Sequence, residues 1–168
     1  MSVHLLDVET RDVSAGQLGL VVDAPAPRPL VELNLTDPAA GELTLGVLGA
    51  SHVVTATARG RTLTEQVSCD AIAAGGRPLP DVEHRQGYRF TSHIETVSRR
   101  ALGRRAEMLR TGAAGRSGWL CAEFPGDRDA LTVLTAAATG GHWHWRTWHL
   151  YPYRDESVIV ETESVWQP

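Results

Sequence analysis

The sequence predicts a β-rich α+β fold, mainly antiparallel, forming a curved sheet or barrel with one principal helix at about 98–111. Three observations lead there. Short runs of period-two alternation recur along the chain and close on Gly, Pro, Asp or Asn. Pairs of such runs meet at turn chemistry, as at Arg59-Gly60 and between Pro152 and Ser157. A single segment, after Ser98, changes to helical spacing. At 168 residues the chain is expected to form one domain, 1–168, large enough to bury a core without staples.

In chain order, strands are expected near 3–8, 17–23, 29–36, 41–49, 51–58 and 61–68, then near 87–97, 118–124, 131–138, 142–151 and 157–166. Pro25, Pro27 and Pro29 punctuate an early connection, and Ala71 to Pro80 reads as a loop. Ser98 is placed to cap a helix in which Leu102, Ala106 and Leu109 share one face. Its other faces carry Arg99, Arg100, Arg104, Arg105 and Arg110 against a single Glu107. That is either a solvated face or a docking surface for an acidic protein partner. Phe124-Pro125-Gly126-Asp127 is a turn by residue type, and a helix over 128–136 is the alternative to the strand that follows it.

Residues 142–153 hold three of the five tryptophans, three of the seven histidines and two of the three tyrosines. If Pro152 faces Ser157 across a hairpin, Trp143 opposes Trp166, Trp145 opposes Ser164, Thr147 opposes Thr162, His149 opposes Val160 and Tyr151 opposes Val158, which is a core-like face. The other face carries His142, His144, Arg146 and Trp148 opposite Gln167, Val165, Glu163 and Glu161. A second strand alternates in the same way, placing Arg89, Thr91, His93 and Glu95 on one side. The polar face has three readings: a solvent surface with a cross-strand ion pair, the lining of a polar pocket, or a metal site. His142 and His144 stand ~6.6 Å apart along one strand face, but no third histidine or cysteine motif accompanies them, so no metal is expected.

Composition narrows the chemistry. The formal charge of -4 argues against nucleic-acid binding by net electrostatics, and all sixteen basic residues are arginine. Without lysine there is no Schiff-base lysine and no lysine of a phosphate-binding loop. Arginine favours bidentate grips on carboxylate or phosphate. Cys69 and Cys121 lack CxxC spacing and are expected as buried thiols, and no apolar run approaches a membrane span, so the expectation is a cytoplasmic protein with no membrane partner.

Leu48-Gly49-Ala50-Ser51-His52, Phe124-Pro125-Gly126-Asp127 and Trp145-Arg146-Thr147-Trp148-His149-Leu150-Tyr151-Pro152, in this order and spacing, resemble an uncharacterised actinobacterial family, domain of unknown function 2617. The resemblance covers nearly the whole chain and implies an actinobacterial cytoplasmic protein. It carries no activity or catalytic residues over, and it leaves His142 and His144 outside the shared motif.

The functional expectation is binding of a small anionic or amphipathic molecule in a polar concavity. Arg146 and Arg89 would grip the negative group, Trp148 would wall it, and Glu161, Glu163, Glu95 and His52 would complete the site. No cofactor is expected. The enzyme alternative, phosphohydrolase-like or another acid–base chemistry, uses Glu95, Glu161 or Glu163 as acid or base with His52, His93 or His149 shuttling a proton. The glutamate-glutamate-lysine strand of tunnel-type phosphohydrolases is incomplete here for want of Lys. The remaining alternative is a non-catalytic interaction module using the arginine helix. Oligomeric state is not readable from the chain.

Overall fold

In the computed structural model, the described residues are 2–5, 10–12, 20–23, 30–48, 51–68, 81–113, 118–124, 127–153 and 156–168. They form thirteen strands and one helix. The first seven strands are β1 (Ser2–Leu5), β2 (Thr10–Asp12), β3 (Leu20–Asp23), β4 (Leu30–Asp37), β5 (Gly41–Leu48), β6 (Ser51–Ala58) and β7 (Arg61–Ser68). Then follow β8 (Val82–Arg85), β9 (Tyr88–Val97), the helix α1 (Arg99–Ala113), β10 (Trp119–Phe124), β11 (Asp127–Thr139), β12 (His142–Tyr153) and β13 (Glu156–Trp166).

Two sheets result, one ordered β2-β1-β4-β5-β6-β7 and the other β3-β10-β11-β12-β13-β9-β8. All pairings are antiparallel except β3 with β10. The expected α+β, β-rich class holds, as curled sheets rather than a closed barrel: no ladder joins β7 to β8 among the described residues. Two strands went unforeseen, β2 and β8. The strand expected after Phe124 is β11, so the helical alternative there is excluded. Cys121 is buried in β10. Cys69, the Pro25–Pro29 connection, the Ala71–Pro80 loop, Gly49-Ala50 and Pro125-Gly126 lie outside the described residues.

From Trp145 to Tyr153 the hairpin register is the expected one, with Trp145 opposite Ser164, Arg146 opposite Glu163 and His149 opposite Val160; the ladder does not extend to the expected pairs of His142, Trp143 and His144. Its inner face meets the first sheet. The main core there joins Leu33, Leu43, Leu45 and Val54 of one sheet to Leu120, Leu134, Phe90 and Trp145 of the other. Trp145 is 2% exposed, and burying such rings supplies much of the core's hydrophobic stabilisation.

A second core lies on the outer face of the long sheet, where α1 packs. Leu102 and Ala106 are fully buried against Leu131, Leu150 and Ile159, with Leu109 partly buried. Ser98 Oγ accepts from Ala101 N at 3.1 Å, the N-terminal cap the sequence announces. The helix runs two residues beyond its expected end near 111.

Three hairpins turn on two-residue loops with both residues in the left-handed region: Arg59-Gly60 (φ 52 and 75), Gln86-Gly87 (52 and 85) and Gly140-Gly141 (61 and 79). Such turns match the twist of the strands they join and normally carry Asn or Gly. At Gly87 a Cβ would stand 2.2 Å from the Trp166 ring, so close approach as well as φ demands glycine there.

Candidate functional site

The outer face beyond α1 holds the residues singled out from the sequence except His52, which lies between the sheets. Arg146 of β12 lies across from Glu163 and beside Glu161 of β13. It hydrogen-bonds Glu161 through Nη2, and its Nε stands 3.3 Å from Glu163 Oε2 without the alignment of a hydrogen bond. Its guanidinium lies 4.8 Å from the Trp148 ring centroid, a cation–π contact. Arg89 pairs with Val165, and its Nε is buried without a hydrogen-bond partner among the described residues. Glu95 reaches Arg105 at 3.9 Å and His93 at 3.5 Å. Arg89, Arg146, Glu95, Glu161 and Glu163 therefore share one face along three strands, where Arg146 and Glu163 line a cavity of about 400 Å³ and Arg146 and Trp148 a smaller one of about 110 Å³. Arg146 already has two carboxylates at hand.

The arginine helix is partly neutralised in the same way. Arg99 approaches Asp129 at 3.8 Å, Arg105 approaches Glu95, and Arg110 meets Glu123 and Glu107. His142 stacks on Trp166 at 3.9 Å between centroids and donates from Nδ1 to Gly140 O at 3.2 Å. No group of three His, Cys, Asp or Glu suited to a metal occurs among the described residues.

The inner face holds something the sequence reading placed only in part. His52 of β6 and His149 of β12, 97 positions apart, meet between the sheets with Nδ1 and Nε2 2.6 Å apart. Ring centroids 4.9 Å apart and planes within 6° place the rings edge to edge in one plane. Behind His149, Nδ1 contacts Thr132 Oγ1 at 2.8 Å. On the other side, His52 Nε2 contacts Glu65 Oε1 at 2.9 Å. Glu65 also accepts from Ser164 Oγ at 2.8 Å and Trp145 Nε1 at 3.4 Å. Thr132, His149, His52 and Glu65 thus form one hydrogen-bonded chain, buried throughout.

Proton accounting limits this chain to a few states. Ser164 and Trp145 donate to Glu65, which identifies it as a carboxylate. Burial pushes its pKa up, but the hydrogen bond and positive charge of His52, with the Ser164 and Trp145 bonds, outweigh this and leave it lowered. His149 is held well below the usual imidazole range by burial first and by the His52 charge second, so it is neutral. One proton lies between the two rings. Either His149 Nε2–H donates to neutral His52, with Thr132 donating to His149 Nδ1, or a protonated His52 donates to His149, whose Nδ1–H then turns to Thr132.

Glu65 was missed, although a signal existed. It sits between Leu63 and Val67 on the inward face of β7, a carboxylate at a core position. The sequence places His52 at the expected binding site and His149 on the core-like face of the hairpin. Their meeting required the sheet-on-sheet packing.

Two cavities open along the seam between β7 and β9. One, of about 360 Å³, lies where the three left-handed turns meet. It is lined by Arg59, Arg61, Leu63, Tyr88, His142 and Trp166 among others. Arg59 and Arg61 are exposed and have no carboxylate at ion-pair distance among the described residues. Tyr88 donates to Trp143 O at 2.9 Å and packs edge-on against Trp166, fixing the aromatic wall. The other cavity, of about 350 Å³, is lined by Glu65, Glu83, Arg85, Phe90, Ser92 and Thr162 among others, and opens on the carboxylate end of the buried chain.

The family described as Protein of unknown function DUF2617 matches residues 15–165, and the chain belongs to it. Uncharacterized proteins of Mycobacterium bovis and Mycobacterium tuberculosis are each 47% identical over 168 residues, covering 100% of both chains. No solved structure matches. Among the described residues no helix is long and apolar enough to cross a membrane.

Proposed function

We propose that this DUF2617 chain binds a small amphipathic anion in the cavity at the turn end of the two sheets. Arg59 and Arg61 meet the negative group, while Leu63, Tyr88 and the Trp166–His142 stack receive the apolar part. The observation that carries this reading is backbone strain gathered at one place. Arg59 and Gln86 are the two non-glycine residues with left-handed backbone among the described residues, and both line this cavity. Each such residue costs on the order of 1 kcal/mol, and strain of this kind clusters at ligand sites.

The outer-face set of Arg146, Trp148, Glu161, Glu163, Arg89 and Glu95 supports anion binding less. There the central guanidinium is shared between two carboxylates, and an incoming anion would have to displace them. The test is calorimetric titration of octanoate and phenyl phosphate into the wild type and an Arg59→Ala/Arg61→Ala variant. Saturable binding that falls by about tenfold or more in the variant, at unchanged melting temperature, is expected, about 1.4 kcal/mol. Equal affinity in both proteins removes the proposal, and loss on Arg146→Ala instead moves the site to the outer face.

A further inference from the structure

We infer that the ligand of the anion site proposed above, on which this assignment rests, is a free phosphate monoester of an aromatic alcohol. Its ring lies between the sheets and its phosphate at the rim.

The cavity is shaped for a flat body. The inward residues of β6 shrink toward the turn, from His52 and Val54 to Ala56 and Ala58, and Ala40 adds a third methyl group to the lining. The other sheet does the reverse. It ends in Tyr88, Trp166 and His142, so methyl groups and aromatic rings line the space of about 360 Å³ from its two sides. The aromatic wall is fixed before any ligand arrives. Trp166 is held by the parallel His142 ring at 3.9 Å, by Tyr88 edge-on at 5.4 Å, and by Gly87, where a Cβ would stand 2.2 Å from its ring. A rigid ring meeting this wall loses little freedom, whereas an alkyl chain has to order each of its bonds.

Charge is graded along the same cavity. Leu63 and Tyr88 are 5% and 7% exposed, while Arg59, Arg61 and Gln86 lie exposed at the rim. Neither arginine has a carboxylate at ion-pair distance among the described residues, so the two guanidinium groups flanking Gly60 are available to one anion. Two positive charges match the double charge that a phosphate monoester carries above its second pKa, near ~6, and the guanidinium fork fits its oxygens. A carboxylate brings only one charge.

This gradient also separates two sources of an aryl phosphate. A phosphorylated tyrosine carries its backbone on the side of the ring away from the phosphate, and that side here is the buried end, beside Leu63 and Tyr88. A free ester has nothing beyond its ring.

Phenyl phosphate, hexyl phosphate, benzoate and octanoate separate ring from chain and two charges from one. Calorimetric titration at pH 8 should rank phenyl phosphate about tenfold tighter than hexyl phosphate and about fivefold tighter than benzoate, with octanoate weakest. His142→Ala, at a half-buried position, should weaken phenyl phosphate about fivefold and leave hexyl phosphate unchanged. N-acetyl-phosphotyrosine amide should bind at least about tenfold more weakly than phenyl phosphate. Hexyl phosphate equal to phenyl phosphate overturns the ring, as does an equal effect of His142→Ala on both. Benzoate equal to phenyl phosphate overturns the phosphate, and phosphotyrosine amide equal to it overturns the buried ring. In each of these outcomes Arg59→Ala/Arg61→Ala still weakens binding, and the anion site stands without the ester. If that variant binds every probe as the wild type does, or no probe saturates the wild type, the anion site itself falls, and the ester with it.

Discussion

Strand β12 carries ionisable groups to both sides, and the two sides treat them differently. Inward, His149 belongs to a chain with His52 and Glu65 in which every partner is buried and aligned. Outward, three residues earlier, Arg146 holds Glu161 and Glu163 with 43% of its side chain exposed and one nitrogen unaligned. Both arrangements neutralise charge. Only the inner one is compelled to, because a lone charge so deeply buried loses most of its hydration. The contrast separates two uses of polar residues: inside, they fix how one sheet meets the other; outside, they decorate a surface that solvent already satisfies.

The sharpest way to break that contrast is His52→Ala. It strands the Glu65 carboxylate and the edge of His149 in the core, and a loss of about 3–5 kcal/mol is expected, read as a drop in the urea midpoint. A loss below about 1 kcal/mol would place the inner chain on the same footing as the outer one.

Acid should act on the inner face next. His149 has a folded pKa below its ordinary 6.5, so the folded state binds fewer protons than the unfolded. Stability therefore falls as pH drops below that value, at up to about 1.4 kcal/mol per pH unit for each proton. Glu65, also lowered, keeps its contribution above 4.5 and loses it as pH falls through its folded pKa. Thermal melts from pH 7 to 4 check this, and a flat profile in His149→Phe would assign the first step to the imidazole.

Smaller effects sharpen the outer side. Ser98→Ala removes the cap of the helix packed on the outer face and should cost about 1 kcal/mol in chemical unfolding. Arg146→Ala should cost less than about 1 kcal/mol, and less again in high salt, because exposed pairs are weak and screened. A salt-independent loss above 2 kcal/mol from Arg146→Ala would mean that this pair behaves as an interior one.

The hairpin was legible because its chemistry sorts by parity. Aromatic and hydroxyl residues fall on one face of β12–β13 and charges on the other, and a one-residue slip would mix them. The helix was legible through Ser98 and the Leu102, Ala106, Leu109 stripe. Strand β8 was not, since Val82, Glu83, His84 and Arg85 are all exposed and are held by pairing to β9 rather than by any apolar face. The inner site was half legible: Glu65 and His52 each occupy an inward position in an otherwise apolar alternation, a local sign of a buried partner. Which partner depended on which sheets stack, and nothing local to β6 or β7 encodes β12.

The seam between β7 and β8 has one more consequence, for how the molecule meets others of its kind. An unpaired strand edge ordinarily invites a strand from another chain. Here Arg85 occupies the Thr64 carbonyl, and the opposing edge is only four residues long with Glu83 and His84 projecting from it. An extended peptide approaching this edge of β7 thus finds the Thr64 acceptor already taken.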